Sequence, residues 1–238
     1  MRVGCGYSER QPVSEVKSDP VLSIVLSAMS ILVVDASAAT SPERSVSPSE
    51  QFVIYGADAA WRGAVSDLAE RTKADLLALL RRRDQWTIAA VINLQARAAN
   101  LPEIPDSELR FSQTGSGLKI QLDLLITPEV DPAIVERELV RSILLEIAYR
   151  GLPLLPAGVS YATPPDWLIN GISTLRDESP ATLAALESLG AHPMPLKDLL
   201  AQRPDLLDSQ SANLYRAHAR ALVSILTQHV GGRAQLQH

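Results

Sequence analysis

The sequence predicts an α+β fold in which a small, mostly antiparallel sheet with one helix is followed by a helical half. Short β-branched or alternating runs lie between residues 52 and 126, which is typical of strands. From Asp131 onward, apolar residues recur at helical spacing instead. Because strands followed by helices are the α+β pattern, we expect one domain over residues 52–238, with an α/β part at 52–130 and a helical part at 131–238.

Four strands and one helix are predicted in the first part of this domain. The helix covers Ala59–Arg83, where residues such as Val65, Leu68 and Leu76 follow helical spacing. A glycine-rich turn, Gly115–Gly117, separates the last two strands and indicates a hairpin. The predicted strands are Phe52–Tyr55, Trp86–Asn93, Leu109–Phe111 and Leu118–Ile126.

The last predicted strand has one polar face. Lys119, Gln121 and Asp123 alternate with Ile120 and the leucines that follow it. Since successive side chains of a strand point to opposite faces of the sheet, we expect one face of this strand to be exposed to solvent.

The second part is predicted to contain five helices. Asp131 is a suitable N-cap, and Pro132 occupies the first helical position. This helix is expected to end at Tyr149 or Arg150, before Gly151. The later helices are predicted at Asp166–Leu175, Pro180–Leu189, Pro195–Ala201 and Ser211–Val230.

The N-terminal 39 residues are predicted to be a signal peptide. Residues 21–34 form a charge-free apolar run, shorter than the about 20 residues that span a bilayer. An A-x-A type site follows, with cleavage expected after Ala38 or Ala39. This reading implies a secreted or periplasmic protein. Because the first 20 residues are long and partly acidic, an uncleaved membrane anchor formed by residues 21–34 is the alternative.

Cleavage at this site would leave a chain without cysteine, because Cys5 is the only one. Disulfides and thiolate chemistry would then be excluded. Residues 40–51 follow, are rich in Ser and Pro, and are predicted to be a linker.

Charge and motifs exclude several classes of function. The net charge is −5, and acidic and basic residues are interleaved, so we expect no nucleic-acid binding. The run Arg81–Arg83 suggests a basic patch, but cations at the end of a helix complement its dipole, which is the interpretation we favour. The chain has neither a Gly-x-Ser-x-Gly motif nor a glycine-rich phosphate loop.

Two consecutive helical segments carry a resemblance to a known family. The apolar segment Glu138–Arg150 is followed by Pro164–Ile172, which reads PPDWLINGI. This second segment resembles the "PxWLxEG" helix of gluzincin metallopeptidases, the peptidase-MA-like group. Pro195–Leu200 and the final helical segment are similar to later parts of the same pattern. The resemblance covers Phe52 to the end and implies a single zincin-like domain.

The residues that would bind zinc in that family are missing. The resemblance places Arg141, Ser142 and Leu145 where HExxH has His, Glu and His, and Asn170 where it has the third ligand, a glutamate. The first histidine of the chain is His192, and no two histidines lie four residues apart. The resemblance is therefore to a degenerate member, for which we expect no metal and no cofactor.

The resemblance implies a non-catalytic pseudo-peptidase that binds an unknown protein or peptide ligand, or acts as a scaffold, with membrane contact only through an uncleaved N-terminal segment. One alternative is a hydrolase with a non-standard site in the same cleft, for which Glu146, Tyr161 and Asp166 are candidates, beside Trp167. Glu146 has a second interpretation as the partner of Arg150, four residues later. The other alternative is a structural subunit of an envelope assembly.

Overall fold

The computed structural model describes residues 43–96, 105–114, 117–127, 131–150, 152–153, 160–229 and 232. The predicted signal peptide or anchor, including the run at 21–34, lies outside these residues, so secretion stays a prediction. Gly151, the predicted helix stop, also lies outside them. Within the described residues, no helix combines the length and apolar character needed to span a bilayer.

A five-stranded sheet forms the first part of the domain. The described strands are β1 (Arg44–Val46), β2 (Phe52–Gly56), β3 (Ala90–Ala96), β4 (Ser107–Thr114) and β5 (Gly117–Ile126), in the order β1-β2-β3-β5-β4. The outer pairs β1–β2 and β4–β5 are antiparallel, whereas the inner pairs β2–β3 and β3–β5 are parallel. The sheet is therefore mixed, and the expectation of a mostly antiparallel sheet is wrong.

The chain path explains the parallel pairs. Helix α1 (Ala59–Leu80) connects β2 to β3, and a helical crossover returns the chain to the edge at which it started, so the two strands run in the same direction. β5 then lies between β3 and its own hairpin partner β4. The predicted hairpin is confirmed, since Thr114 faces Gly117 at its tip.

The predicted linker contains a strand. Residues 44–46 form β1, with Arg44 opposite Tyr55 and Val46 opposite Val53. The return to β2 is a short turn, in which the Ser47 hydroxyl accepts a hydrogen bond from the Phe52 amide. A strand of three residues carries too little periodicity to be recognised within a Ser- and Pro-rich stretch.

The third strand begins later than predicted. β3 starts at Ala90, and Trp86 lies before it, with its ring in an edge contact with Phe52 at 5.2 Å. The Trp86 indole N–H donates to the carbonyl of Ile88. The buried Trp86 therefore belongs to a loop before β3, and the hydrophobic pattern does not distinguish such a loop from a strand.

Six α-helices are described, and those predicted from the sequence are present with ends shifted by a few residues. In α2 (Pro132–Tyr149) the Asp131 side chain caps the helix by accepting from the amide of Ala133 at 2.9 Å. A short 3-10 turn, Pro204–Leu206, precedes the last helix. The helices after α1 are α2 (Pro132–Tyr149), α3 (Asp166–Ser173), α4 (Pro180–Glu187), α5 (Leu196–Ala201) and α6 (Ser209–Gln228).

The main core lies between the sheet and helices α1, α2 and α3. Ile54, Ile92 and Leu122 of the central strands are fully buried against it, as are Leu139 and Ile143 of α2. A smaller cluster surrounds the buried Tyr215 of α6. Trp167 contacts both clusters and joins α3 to each of them.

Lys73 of α1 connects the start of the sheet to the helix. Its side chain is only 5% exposed. Its Nζ donates to Ser49 Oγ at 2.8 Å and Gln51 Oε1 at 2.6 Å. It also forms ion pairs with Glu70 at 2.9 Å and Asp84 at 3.2 Å. One buried cation therefore holds the β1–β2 turn, α1 and the segment after α1 together.

Stability in acid is expected to depend on Glu70. Burial alone would raise the pKa of Glu70, but hydrogen bonds from Ser47, Ser49 and Lys73 outweigh it and lower this pKa from 4.5 to about 2. A carboxylate with a lowered folded-state pKa contributes stability above its unfolded pKa, which is lost as the pH falls through the folded value. We expect the free energy of unfolding to fall between about pH 4.5 and pH 2. Because the carboxylate is partly exposed, Glu70 should account for roughly 1–2 kcal/mol of this loss.

Urea unfolding at pH 7 and pH 2.5 checks this expectation. Glu70→Gln should be less stable than the wild type at pH 7, and the difference should shrink in acid. Glu187→Gln, at an exposed position of α4, is the matched control and should leave the pH dependence unchanged. An equal acid response in Glu70→Gln and the wild type would contradict the assignment.

Gly171 allows α3 to approach α6 closely. A Cβ at this position would lie 2.6 Å from the carbonyl oxygen of Ala219 and 2.6 Å from Val223 Cγ2. Gly171→Ala should therefore lower the free energy of unfolding by about 1–3 kcal/mol through overpacking. Gly63→Ala in α1 meets no atom within 4 Å and should raise stability by about 0.5–1 kcal/mol. Urea unfolding followed by circular dichroism measures both, and a Gly171→Ala variant as stable as the wild type or more stable would refute the close contact.

Candidate functional site

A polar pocket lies between α2, α3, α6 and the 3-10 turn. Its volume is about 390 Å³, and we call it the α2–α3–α6 pocket. Two of its walls come from the two segments that carry the gluzincin resemblance. Its charged and amide side chains are Arg137 and Arg141 of α2, Asp166 and Asn170 of α3, Asp205 of the 3-10 turn, and Asn213 and Arg216 of α6.

Arg141 bridges α2 and α3 through two carboxylates. Its Nη1 donates to both oxygens of Glu138, at 2.9 and 3.0 Å, and its Nη2 donates to Asp166 Oδ1 at 3.1 Å. The Glu138 side chain is only 6% exposed, whereas that of Asp166 is 42% exposed. The Arg141 guanidinium thus neutralises the Glu138 carboxylate, whose burial without a cation would destabilise the fold.

Asn170 is buried at the wall of the same pocket. Its Nδ2 donates to the backbone carbonyl of Asp166 at 2.8 Å, one turn earlier in α3. An amide oxygen carries no formal charge and is a weaker zinc ligand than a carboxylate. This position therefore supports the α3 backbone and the pocket wall.

Ser142 and Leu145 do not line the α2–α3–α6 pocket. The Ser142 hydroxyl donates to the carbonyl of Glu138 at 2.8 Å, within α2. Leu145 is fully buried in the main core. Of the four positions that the resemblance equates with catalytic groups, the structure brings Arg141 and Asn170 to the pocket.

The possible cleft residues are distributed over several places. Glu146 is bound by Arg150, whose Nε donates to both carboxylate oxygens at 2.9 and 3.1 Å, as the four-residue spacing suggested. The Tyr161 hydroxyl accepts from the amide of Gln113 on β4 at 3.1 Å. Trp167 is half-buried between the two apolar clusters. Asp166 is the member of this group that lines the α2–α3–α6 pocket.

Potential metal ligands are not gathered in the part of the chain that the structure describes. No group of three or more His, Cys, Asp or Glu side chains there is close enough to hold an ion. Both ring nitrogens of His218 have contacts, Nε2 with the amide of Met194 at 3.2 Å and Nδ1 with the carbonyl of Leu214 at 2.9 Å. This histidine fixes the segment before α5.

A serine–lysine pair outside the pocket is unsuited to catalysis. Ser49 Oγ lies 2.8 Å from Lys73 Nζ, which is the spacing of a nucleophile and its base. However, Lys73 Nζ is also paired with the carboxylates of Glu70 and Asp84, and the Ser49 hydroxyl donates to Glu70. The contacts of both side chains are therefore used within a network that joins the β1–β2 turn to α1.

Tyr215 lies on the buried face of α6, and its hydroxyl is buried without a hydrogen-bond partner among the described residues. Burial raises its pKa to about 12, and the negative charges of Asp166 and Asp205 act in the same direction. The phenol therefore stays protonated at neutral pH and cannot act as a base there.

Sequence reasoning missed Arg137, Asp205, Asn213 and Arg216. Arg137 precedes Arg141 by four residues, so helical spacing alone places the two on one face of α2. Arg216 and Asn213 reach the pocket only because α6 lies against α3, a contact that the sequence pattern does not encode.

No protein-family model matches this chain, and no curated protein matches its sequence.

The ion pairs of Arg141 are expected to be strongly coupled. Arg141→Met leaves the buried Glu138 carboxylate without its cation and should cost about 3–5 kcal/mol of unfolding free energy. The double variant Arg141→Met/Glu138→Leu removes the buried charge as well and should recover more than half of that loss. Urea unfolding of both single variants and the double variant gives the coupling energy. Additive effects would show that the two side chains are independent.

Proposed function

We propose that this protein is a non-catalytic, gluzincin-like binding protein that acts outside the cytoplasm. The observation that carries the proposal is the position of Arg141, whose guanidinium contacts Glu138 and Asp166 where the motif would have a zinc ligand. In this proposal α2 and α3 correspond to the two helices that hold zinc in an active gluzincin, and the α2–α3–α6 pocket is the ligand-binding cleft.

The chemistry of the pocket supports binding without a metal. A guanidinium is permanently charged at physiological pH and offers no lone pair, so it repels a zinc ion and cannot ligate one. It also binds the Glu138 and Asp166 carboxylates, the acidic groups nearest to it. General-base catalysis by Asp166 is disfavoured for the same reason, because its carboxylate is engaged by Arg141.

The arrangement of charges favours a ligand with a carboxylate. Arg137 and Arg216 line the pocket beside Arg141, and neither forms an ion pair with another described residue. Arg216 Nη1 donates to Asn213 Oδ1 at 3.2 Å, which orients its guanidinium. Asp205 is paired with Arg203 at 3.3 Å. We therefore propose that the pocket binds a peptide through an acidic side chain or a terminal carboxylate.

Peptide binding tests this function. Acidic peptides of about ten residues should bind the full chain, and their lysine counterparts should not. Arg137→Gln and Arg216→Gln should each weaken binding by about tenfold, because hydrogen bonds to charged groups are among the stronger ones. Arg44→Gln, at an exposed position of β1, is the charge-matched control. Fluorescence anisotropy gives the dissociation constants, and equal affinity in all three variants would reject the pocket as the binding site.

A structural subunit of an envelope assembly is the second candidate. Leu196 and Leu200 lie one turn apart on α5 and are 56% and 48% exposed, and Leu206 of the 3-10 turn is 72% exposed. Exposed leucines that follow each other in this way favour a contact with another protein. Sedimentation velocity distinguishes the two candidates: an obligate oligomer that Leu196→Ser/Leu200→Ser disrupts would favour the subunit, and a monomer would favour the binding protein.

A further inference from the structure

A second pocket lies at the C-terminal ends of α1 and α2, away from the site described above. Its volume is about 310 Å³. Among the residues that the structure describes, no acidic side chain lines it. The described lining consists of Arg81, Arg82, Arg83, Gln85, Ile147 and Arg150.

Three of the four guanidinium groups have no compensating charge among the described residues. Arg150 is neutralised by Glu146, and its Nη1 donates to the carbonyl of Arg83 at 3.3 Å, which ties α2 to the segment after α1. The side chains of Arg81, Arg82 and Arg83 are exposed, and the described residues supply no carboxylate to them. Asp84, the next residue in the chain, is bound to Lys73 and Gln51 instead.

The helix dipole explains the sign of these charges but not their position. Cations within the last turn of α1 would complement its dipole, yet that turn contains no basic residue. The carbonyls at the C-terminal end of α1 accept hydrogen bonds from backbone amides: the Arg81 amide donates to the carbonyl of Ala78, and the Arg82 amide donates to that of Leu77. The three side chains are thus available to a ligand.

Arg81 caps α1 in the left-handed conformation, with φ 51° and ψ 41°. Glycine is the preferred residue at such a cap, because a Cβ is unfavourable there. Glycine can therefore replace Arg81 without backbone strain, so Arg81→Gly removes the guanidinium and keeps the helix end.

We propose that this pocket binds a phosphate-bearing ligand. Guanidinium groups match the oxygens of a phosphate through paired hydrogen bonds, and several of them together compensate its negative charge. Arg150 is fixed by Glu146 and by the Arg83 carbonyl, and Arg81–Arg83 line the pocket beside it. The phosphate belongs either to a soluble molecule or to an anionic lipid headgroup, since both present negatively charged phosphoryl oxygens.

Calorimetric titration of the full 238-residue chain with inorganic pyrophosphate tests the site. We expect binding that Arg82→Gln/Arg83→Gln weakens by about tenfold or more. Arg81→Gly should also weaken it several-fold while the thermal stability stays equal or rises, because glycine suits this backbone. Arg71→Gln removes the same charge from an exposed position of α1 and should leave the affinity unchanged.

Vesicles separate the two sources of phosphate. Cosedimentation with phosphatidylglycerol but not phosphatidylcholine vesicles, lost in Arg82→Gln/Arg83→Gln, would support the site with a lipid headgroup as ligand. Pyrophosphate binding without vesicle binding would support it with a soluble ligand. Absence of both, or binding that the arginine variants do not change, would overturn the proposal.

Discussion

The bridge that Arg141 forms between α2 and α3 is the interaction on which this account of the site depends. Its guanidinium neutralises the buried Glu138 and reaches Asp166 at the start of α3, so one side chain fixes the orientation of two helices. The close approach of α3 to α6 at Gly171 then completes the third wall of the pocket. In the function we propose, Arg141 occupies the position of a metal ligand, and a guanidinium cannot bind a metal ion. Arg137 and Arg216 line the pocket beside it.

Much of the fold follows from local signals in the sequence. The Asp131–Pro132 cap, the Gly115–Gly117 turn and the helical periodicity each specify their own element, and those elements are present. Whether neighbouring strands run parallel or antiparallel was harder to predict from the sequence. A parallel pair forms at β3 because β5, rather than β4, is the strand of the hairpin that lies beside it, and the strands' own sequences do not specify that choice.

The site was predictable only where its residues lie on one helix or in a recognisable pattern. Arg141, Asp166 and Asn170 came from the two segments that resemble the gluzincin motif, and the Glu146–Arg150 pair came from four-residue spacing. Arg216 and Asp205 come from elements more than 30 residues further along the chain, so only the tertiary structure brings them to Arg141. The run Arg81–Arg83 is a different case, because the sequence shows the basic residues but not that they line one pocket with Arg150 of α2.

Zinc content per chain tests whether the pocket works without a metal. The purified chain is incubated with excess zinc, passed through gel filtration and analysed for metal. We expect no retained zinc, because the guanidinium of Arg141 offers no lone pair and repels the ion. About one zinc ion per chain after gel filtration would contradict a metal-free binding site.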